Sequence, residues 1–583
     1  MASETKNCQN CKNDFVIEPE DFEFYESIKV PPPTFCPRCR HQRRLVIRNE
    51  RTLYKGECDM CKKSMISMYS PDKPFTVYCR ECWFSDKWSP LDYGVDYDWS
   101  KPFFEQWKKL INCVPKIAVA HYYTNINCDY TNYVANCKNV YLSSSTTESE
   151  DIYYSRFIDY SKTCFDSMNV EHCEIIYENL DGDHNNNTKF SLRSRECLES
   201  TFIFDCSASQ NCFMSSNLRN KQYVFRNKQL SKDEYKAAMQ DINMGSHQEL
   251  EKLKAEFREL VTTSLHKYAN FTKTENCTGD NVENSKNCLH AFDVYESEDI
   301  KYANRCIKAR DTYDVYGCAP SERMYEYVAG GYDSFDAYFS AFGNNTRECT
   351  YTNWCHDSRN MFGCDGARKK SYCILNKEYS KEEYEALRDK IIKHMDEVPY
   401  VDQRGRVYKF GEFFPIELGQ FAYNETIANI ERPLSKEEVL AAGYPWRDPD
   451  PYPHQPTLQP ENISDDIKDA EESIAKEVIA CKSCDRAYRI IGPEFAFLRE
   501  CKIALPRECD ECRYKKRFAL RNPVRLWERQ CMCAGESSDN GNYKNSTQHP
   551  HGSDRCPNKH QTPYAPDRSE VVYCKDCYQS EVV

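Results

Sequence analysis

Residues 297–318 read SEDIKYANRCIKARDTYDVYGC, and the cadence continues through SERMYEYVAG (321–330), YDSFDAYFSA (332–341), RECTYTNWCH (347–356) and SRNMFGCDG (358–366). Each beat opens on polar turn formers, then alternates Tyr, Phe, Ile, Met or Cys with small polar residues. The beats recur about every 10–12 residues. Such alternation predicts a short strand with one buried face. An earlier stretch has the same cadence: SEDIYYSRF (149–157), SKTCFDSMN (161–169), EHCEIIYEN (171–179), RECLESTFIFDC (195–206) and SQNCFMSSN (209–217).

Short strands at a regular interval, with few helix signals between them, predict a mainly β chain with added helices whose centre is a β-solenoid. It would resemble a parallel β-helix with two or three beats to each coil. A single rung cannot bury its own face, so neighbouring rungs must stack to make a core. The alternative fold is a pair of antiparallel β-sandwiches. Cys164, Cys173, Cys197, Cys206, Cys349, Cys355 and Cys364 fall in these beats without CxxC pairing. They read as small inward-facing core residues rather than metal ligands.

The centre is also duplicated. Glu148–Ile152 (ESEDI) recurs at 296–300, and RNKQYVFRNKQLSKDEY (219–235) recurs as RKKSYCILNKEYSKEEY (368–384). Two units therefore follow one another, at 101–230 and 269–379. Ser231-Lys-Asp-Glu234, Ser380-Lys-Glu-Glu383 and Ser435-Lys-Glu-Glu438 are capping boxes that start helices. A further box at Ser246-His-Gln-Glu249 completes a helical hairpin over 231–268. A helix and β-hairpin closing region is expected at 380–446. Six prolines between Pro445 and Pro460 predict a stiff linker. An acidic amphipathic helix follows, with Ile463, Ile467, Ala470, Ile474 and Val478 in register, so that linker and helix occupy 447–479.

The two ends match each other as the two halves of the centre do. YSPDKPFTVYCREC (69–82) is echoed by YAPDRSEVVYCKDC (564–577), and RHQRRLVIRNERTLYKGEC (40–58) by RYKKRFALRNPVRLWERQC (513–531). In the first copy, 24 residues separate Cys8-Gln-Asn-Cys11 from Cys36-Pro-Arg-Cys39. In the second, 24 separate Cys481-Lys-Ser-Cys484 from Cys509-Asp-Glu-Cys512. Two thiolates two residues apart reach one Zn²⁺ from a tight knuckle, and a second knuckle closes a tetrahedron at about 2.3 Å per bond. The spacing predicts one ion at Cys8, Cys11, Cys36 and Cys39, a second at Cys58, Cys61, Cys79 and Cys82, and a third at Cys481, Cys484, Cys509 and Cys512. An interleaved pairing of knuckles would use the same residues. The fourth set departs from the pattern, because Cys531-Met-Cys533 is CxC. The reading there is Cys531, Cys533, Cys574 and Cys577, with His549, His551 and Cys556 as rivals. Three to four structural Zn²⁺ ions follow, in two-site modules at 1–100 and 480–583.

The chain of 583 residues carries 34 cysteines, a net charge of −13 and a pI near 5.6. It opens without an apolar leader and contains no run of 18 apolar residues, which predicts a cytoplasmic protein without membrane association, or alternatively a component of an assembled particle. A reducing compartment favours metal ligands over disulfides. CxxC, an aromatic–acidic stretch (FVIEPEDFEFYES), a proline and CPRCR together resemble a small zinc-binding domain of zinc-ribbon or treble-clef type. With GEFFPIELGQFAYNET (411–426) and LSKEEVLAAGYPW (434–446), the chain resembles a family of large zinc-ribbon proteins of bacteria with reduced genomes. That resemblance implies zinc binding and no particular reaction; a CoA-transferase activity ascribed to some members has no motif here.

Two features could carry function. Basic segments between the knuckles hold Arg40, Arg43, Arg44 and Arg48 in one copy and Arg513, Lys515, Lys516 and Arg517 in the other. They could touch phosphates, with Tyr54 or Trp527 available to stack, or an acidic partner. Alternatively they pair with the acidic remainder of the same chain. Asp181-Gly-Asp-His-Asn-Asn-Asn could bind a hard cation or act as acid and base, or be a polar loop. No phosphate loop, nucleophile elbow or HExxH occurs. The expectation is a non-enzymatic scaffold that docks protein partners or itself, with a nucleic-acid-binding protein as the alternative.

Overall fold

In the computed structural model, which describes residues 2–450 and 454–582, the central strands pair in parallel with the strand twelve residues further on. Val140 lies beside Ile152, Ile152 beside Cys164, and Cys164 beside Ile176. A second ladder interleaves with the first: Thr146 pairs with Ile158 and Ile158 with Val170. The result is a 15-stranded sheet from His121 to Gln229 and a 13-stranded sheet from Phe271 to Glu378. Parallel pairing at this constant offset replaces the antiparallel sandwich alternative. One beat makes a complete layer, where two or three per coil were expected. The reason is the number of bends each beat contains.

From Asn127 to Arg226 the left-handed conformation recurs at every third residue, with φ near +50°. Each such residue bends the chain, four times in every twelve residues. The inward positions also recur every third residue, as Val140, Ser143, Thr146, Ile152, Ser155, Ile158, Ser161 and Cys164, all buried. The side-chain period is therefore three, not the two of a simple strand, and the alternation read from the sequence was a mixture of inward and corner residues. A left-handed non-glycine residue costs about 1–2 kcal/mol. The stack offsets this by using the amide of each corner: Tyr154 N–H donates to the Tyr141 carbonyl and Asp166 N–H to the Tyr153 carbonyl, each in the preceding layer.

The inner columns are rich in serine because a hydroxyl completes the backbone ladder. Ser155 N–H donates to Ser143 Oγ at 3.0 Å, Ser167 N–H to Ser155 Oγ at 3.0 Å, and Asn179 N–H to Ser167 Oγ at 3.1 Å. Each of these hydroxyls donates in turn to the carbonyl two residues back. Cysteine occupies equivalent places, and Asn185 N–H donates to Cys173 Sγ at 3.4 Å. Cys164, Cys197, Cys349, Cys355 and Cys364 are completely buried and Cys173 and Cys206 nearly so, as core residues. Burial pushes the Cys164, Cys355 and Cys364 thiols well above their ordinary range, so they stay protonated and inert. Ser155→Ala strands the buried Ser167 amide and is expected to cost about 1–3 kcal/mol. Ser155→Cys should cost clearly less, since the chain already uses a thiol in this role. Hydrogen exchange at the Ser167 amide checks both; equal loss of protection in the two variants would exclude the ladder's contribution.

The chain divides into two units. The first comprises residues 1–119, 269–448 and 523–526; the second comprises 120–268, 449–522 and 527–583. Each cysteine module thus packs on the stack that is not its sequence neighbour. Outward aromatic residues of the stacks receive the modules. In the first unit Phe24 stacks on Tyr313 at 3.9 Å. In the second, Tyr153 stacks on Phe165 at 4.5 Å and Phe165 on Phe497 at 4.3 Å.

The helices Lys232–Gln240 and Lys381–Glu397 begin at reciprocal capping boxes on Ser231 and Ser380. The helix expected over 463–478 is instead three 3₁₀ turns, Pro460–Asn462, Ile467–Asp469 and Glu472–Lys476. Asp465 and Asp466 accept hydrogen bonds from Gln248 N–H and Lys468 N–H, which competes with a continuous helix. Ile463, Ile467, Ala470 and Ile474 are still buried, against Phe495 and Leu498 among others. Of the proline-rich linker, residues 451–453 lie outside the described residues. Among the described residues no helix is long and apolar enough to cross a membrane.

Candidate metal centres

Each terminal module builds its cysteine groups from a hairpin and a helix start. The hairpin Glu4–Asn7 with Asp14–Ile17 carries Cys8 and Cys11 in its turn, and Cys36 caps the helix Pro37–Leu45. The hairpin Tyr54–Glu57 with Ser64–Ser67 and the short helix after Cys79 repeat this arrangement, as do the hairpin around Cys481 and the helix Asp510–Phe518 after Cys509. Lys12 and Lys62 adopt φ of 62° and 61°, closing the turn behind the second cysteine of each knuckle.

The structure brings Cys8, Cys11, Cys36 and Cys39 together, likewise Cys58, Cys61, Cys79 and Cys82, and likewise Cys481, Cys484, Cys509 and Cys512. Within each set every sulfur lies within 4.8 Å of the others. The interleaved pairing is thereby set aside. Cys11–Cys36, Cys61–Cys79 and Cys484–Cys509 are separated by 3.7, 3.8 and 3.7 Å. A tetrahedron with bonds of about 2.3 Å has edges of about 3.8 Å, so the sulfurs stand where one ion could hold all four. All the cysteines are free thiols. In each set an amide at the helix start donates to a sulfur: Cys36 N–H to Cys8, Cys79 N–H to Cys58 and Cys509 N–H to Cys481, at 3.2, 3.2 and 3.3 Å. Hydrogen bonds from Cys36, Cys39 and backbone amides hold the Cys8 thiol far below its usual range, favouring the thiolate.

The fourth group differs from the expectation. Cys531, Cys556, Cys574 and Cys577 converge, with Cys556 and Cys574 sulfurs 3.9 Å apart, and Cys574 N–H donates to Cys531 at 3.2 Å. Cys533 is not in this set. The strand Lys559–Thr562 begins three residues after Cys556, as Ser64–Ser67 begins three residues after Cys61. Cys556 is therefore the true counterpart of Cys61, displaced by a long insertion. The hairpin register identifies it; the CxC motif had pointed to the wrong thiol.

The arginines among the basic residues are turned inward in both modules. Arg40 bonds Asp314 at 2.8 Å, Arg43 pairs with Glu326 and with Glu412 at 2.8 Å, and Arg44 reaches Asp314 at 3.0 Å and Glu326 at 3.1 Å. Arg48 is buried beside Glu50 at 2.6 Å. In the second unit Arg513 bonds Asp166 at 3.1 Å and Glu494 at 2.8 Å, and Arg517 bonds Asp166 at 2.6 Å. These six guanidinium groups cannot face a phosphate, which corrects their candidacy as nucleic-acid contacts. Lys515 and Lys516 are exposed and pair with Glu511 and Glu508. Three of these carboxylates come from stack corners: Asp166, Asp314 and Glu326 all have positive φ.

The Asp181–Asn187 segment is no loop. Glu174–Asp183 is a strand of the ladder and Gly182 pairs with Val170. Asp181 is held by Arg521 at 3.0 Å, and His184 is exposed beside Asp183 at 2.7 Å, stacking on His172. On the second stack a shallow depression of about 1020 Å³ is lined by charges that pair along the ladder, Lys286 with Glu275, Lys308 with Glu296 and Arg310 with Glu298. Compared with known proteins, the chain matches no protein-family model and no curated protein.

Proposed function

We propose that this chain is a non-enzymatic scaffold whose stacks are β-solenoids and whose terminal modules are zinc-stabilised clamps of zinc-ribbon or treble-clef type. The observation that carries the reading is the inward orientation of the arginines. Arg40, Arg43, Arg44, Arg513 and Arg517 spend their charge on carboxylates of the stacks. Four-thiolate groups leave no open coordination position for a substrate or water, so the ions would serve folding rather than catalysis. The remaining stack faces, laddered with alternating Lys and Glu, are available to a protein partner or a second copy of the chain.

Nucleic-acid binding by the modules is the competing reading, and salt separates the two. Binding through several phosphate contacts falls steeply with salt concentration. The full-length protein is expected to show no retention on immobilised RNA or duplex DNA at 150 mM salt, and no more at 50 mM beyond that of an acidic control protein. Strong retention at 50 mM that vanishes by 200 mM would overturn the scaffold reading in favour of nucleic acid.

A further inference from the structure

The insertion between Cys531 and Cys556 carries a second convergence of ligands. Cys533 Sγ, His549 Nδ1, His551 Nε2 and Cys577 Sγ form a set whose ligand atoms all lie within 4.8 Å of one another. Cys577 already belongs to the set of Cys531, Cys556 and Cys574. We propose that the C-terminal module holds a binuclear zinc centre in which Cys577 Sγ bridges two ions. One ion is completed by Cys531, Cys556 and Cys574, the other by Cys533, His549 and His551. The inference rests on the reading of the four-cysteine groups as zinc sites and adds a fifth ion to it.

The edges fit. His549 Nδ1 stands 3.4 Å from Cys533 Sγ, and His551 Nε2 stands 3.3 Å from Cys577 Sγ. A tetrahedron with Zn–N near 2.0 Å and Zn–S near 2.3 Å has mixed edges of about 3.5 Å. Both rings are also set for ligation by their far nitrogens. His549 Nε2–H donates to the buried Glu581 carboxylate at 2.8 Å, and His551 Nδ1–H donates to the Asp554 carbonyl at 2.7 Å. Each of those partners is an acceptor only, so the proton belongs on the far nitrogen and the lone pair faces the thiols. A ligating histidine almost always has its other N–H held in this way. Asn545 Nδ2 donates to Cys533 Sγ at 3.2 Å, the contact expected of a thiolate.

The insertion itself calls for a fastening. Between Cys533 and Cys556 there is no helix or strand, only the bridges Cys533–Ser538 and Ser537–Lys544. Irregular segments of this length are uncommon in compact units unless something organises them. Yet Cys533 is completely buried and His549 nearly so. Metal ligation supplies the order that hydrogen-bonded secondary structure does not. At the N-terminus Cys58 and Cys61 are two residues apart with no insertion, and no histidine accompanies them. The pairing of inserted loop and added ligands is confined to the copy that needs it.

The test uses the full-length zinc-loaded protein. Native mass spectrometry is expected to count five zinc ions per chain, and four in the His549→Ala/His551→Ala double variant. Cadmium substitution tests the bridge without any variant: ¹¹³Cd NMR should show two resonances split by each other through the shared sulfur. X-ray absorption should show a metal–metal distance of about 3.5–4 Å. A count of four that the double variant leaves unchanged overturns the binuclear centre while leaving the four-site reading intact. Five ions with neither coupling nor a metal–metal distance overturns the bridge. A count below two overturns the underlying zinc reading as well.

Discussion

If the terminal cysteine groups hold zinc as proposed, stripping it from the full-length chain is expected to loosen both terminal modules around those groups while the two stacks keep most of their β structure. The buried cluster around the second site consists of Cys58, Cys79 and Cys82 with only Met60, Met65 and Tyr78 beside it, so the ligands themselves are most of the core. A site with so little apolar burial of its own cannot hold its two knuckles together by hydrophobic packing alone. Structural zinc contributes about 10–16 kcal/mol of apparent binding energy per site near pH 7, all of which becomes folding energy when the unbound site is disordered. The stacks draw on a different source, columns of Val, Ile, Cys and Ser stitched by parallel ladders. Hydrogen exchange after chelation should therefore show lost protection over 2–100 and 480–582, with protection largely kept at the inner columns. Unchanged module protection in a chain verified to contain no metal would refute the argument. Readdition of zinc should restore protection, since the thiols are not otherwise consumed.

The second large effect is expected at the stack corners that receive the arginines. Asp314 and Asp166 are fully buried, 148 positions apart, and each neutralises a pair of guanidinium groups one helical turn apart: Arg40 with Arg44, and Arg513 with Arg517. Removing one partner of a buried pair leaves an uncompensated charge and costs about 3–5 kcal/mol. Asp166→Ala leaves Arg517 without a carboxylate, because Glu494 answers only Arg513. Asp314→Ala likewise leaves Arg40 without a carboxylate, because Glu326 answers only Arg43 and Arg44. The loss should thus be of similar size in the first unit for Asp314→Ala and in the second for Asp166→Ala. Because the chain has two units, a single unfolding midpoint is not a sound measure. Proteolytic susceptibility mapped to each unit is the appropriate one. Effects well below this in both variants would show that the pairs contribute little.

The duplications were legible because they are statements about sequence alone: offsets of 148 and 149 in the centre, and matching CxxC spacing at the ends. Three of the four cysteine groups followed directly, since a two-residue knuckle admits few partners. The fourth did not, because the insertion moved the counterpart of Cys61 to Cys556 and left Cys533 looking like its neighbour's partner. Repetition of the central beat was visible, but its geometry was not. A period of three mimics alternation over short windows when corner residues such as Tyr154 and Phe157 are themselves aromatic and buried by a module. Serine was read as a turn former, although Ser143, Ser155 and Ser167 form a buried column whose partners are amides twelve residues away. The arginines looked available because sequence carries no record of Asp166 or Asp314 facing them. Only the packing of a module on its distant stack shows where that charge goes.

This distant packing governs how the chain can be completed as it leaves the ribosome. Residues 1–119 emerge first with their arginine-bearing helix uncovered, and the surface that neutralises it is not made until residues 269–448 appear. The stack at 120–268 waits longer still, for the last segments of the chain. Nascent chains must therefore hold the first cysteine module and an unclad aromatic ladder apart through several hundred residues of synthesis. A chain halted near residue 268 would contain one half of each unit and neither one whole.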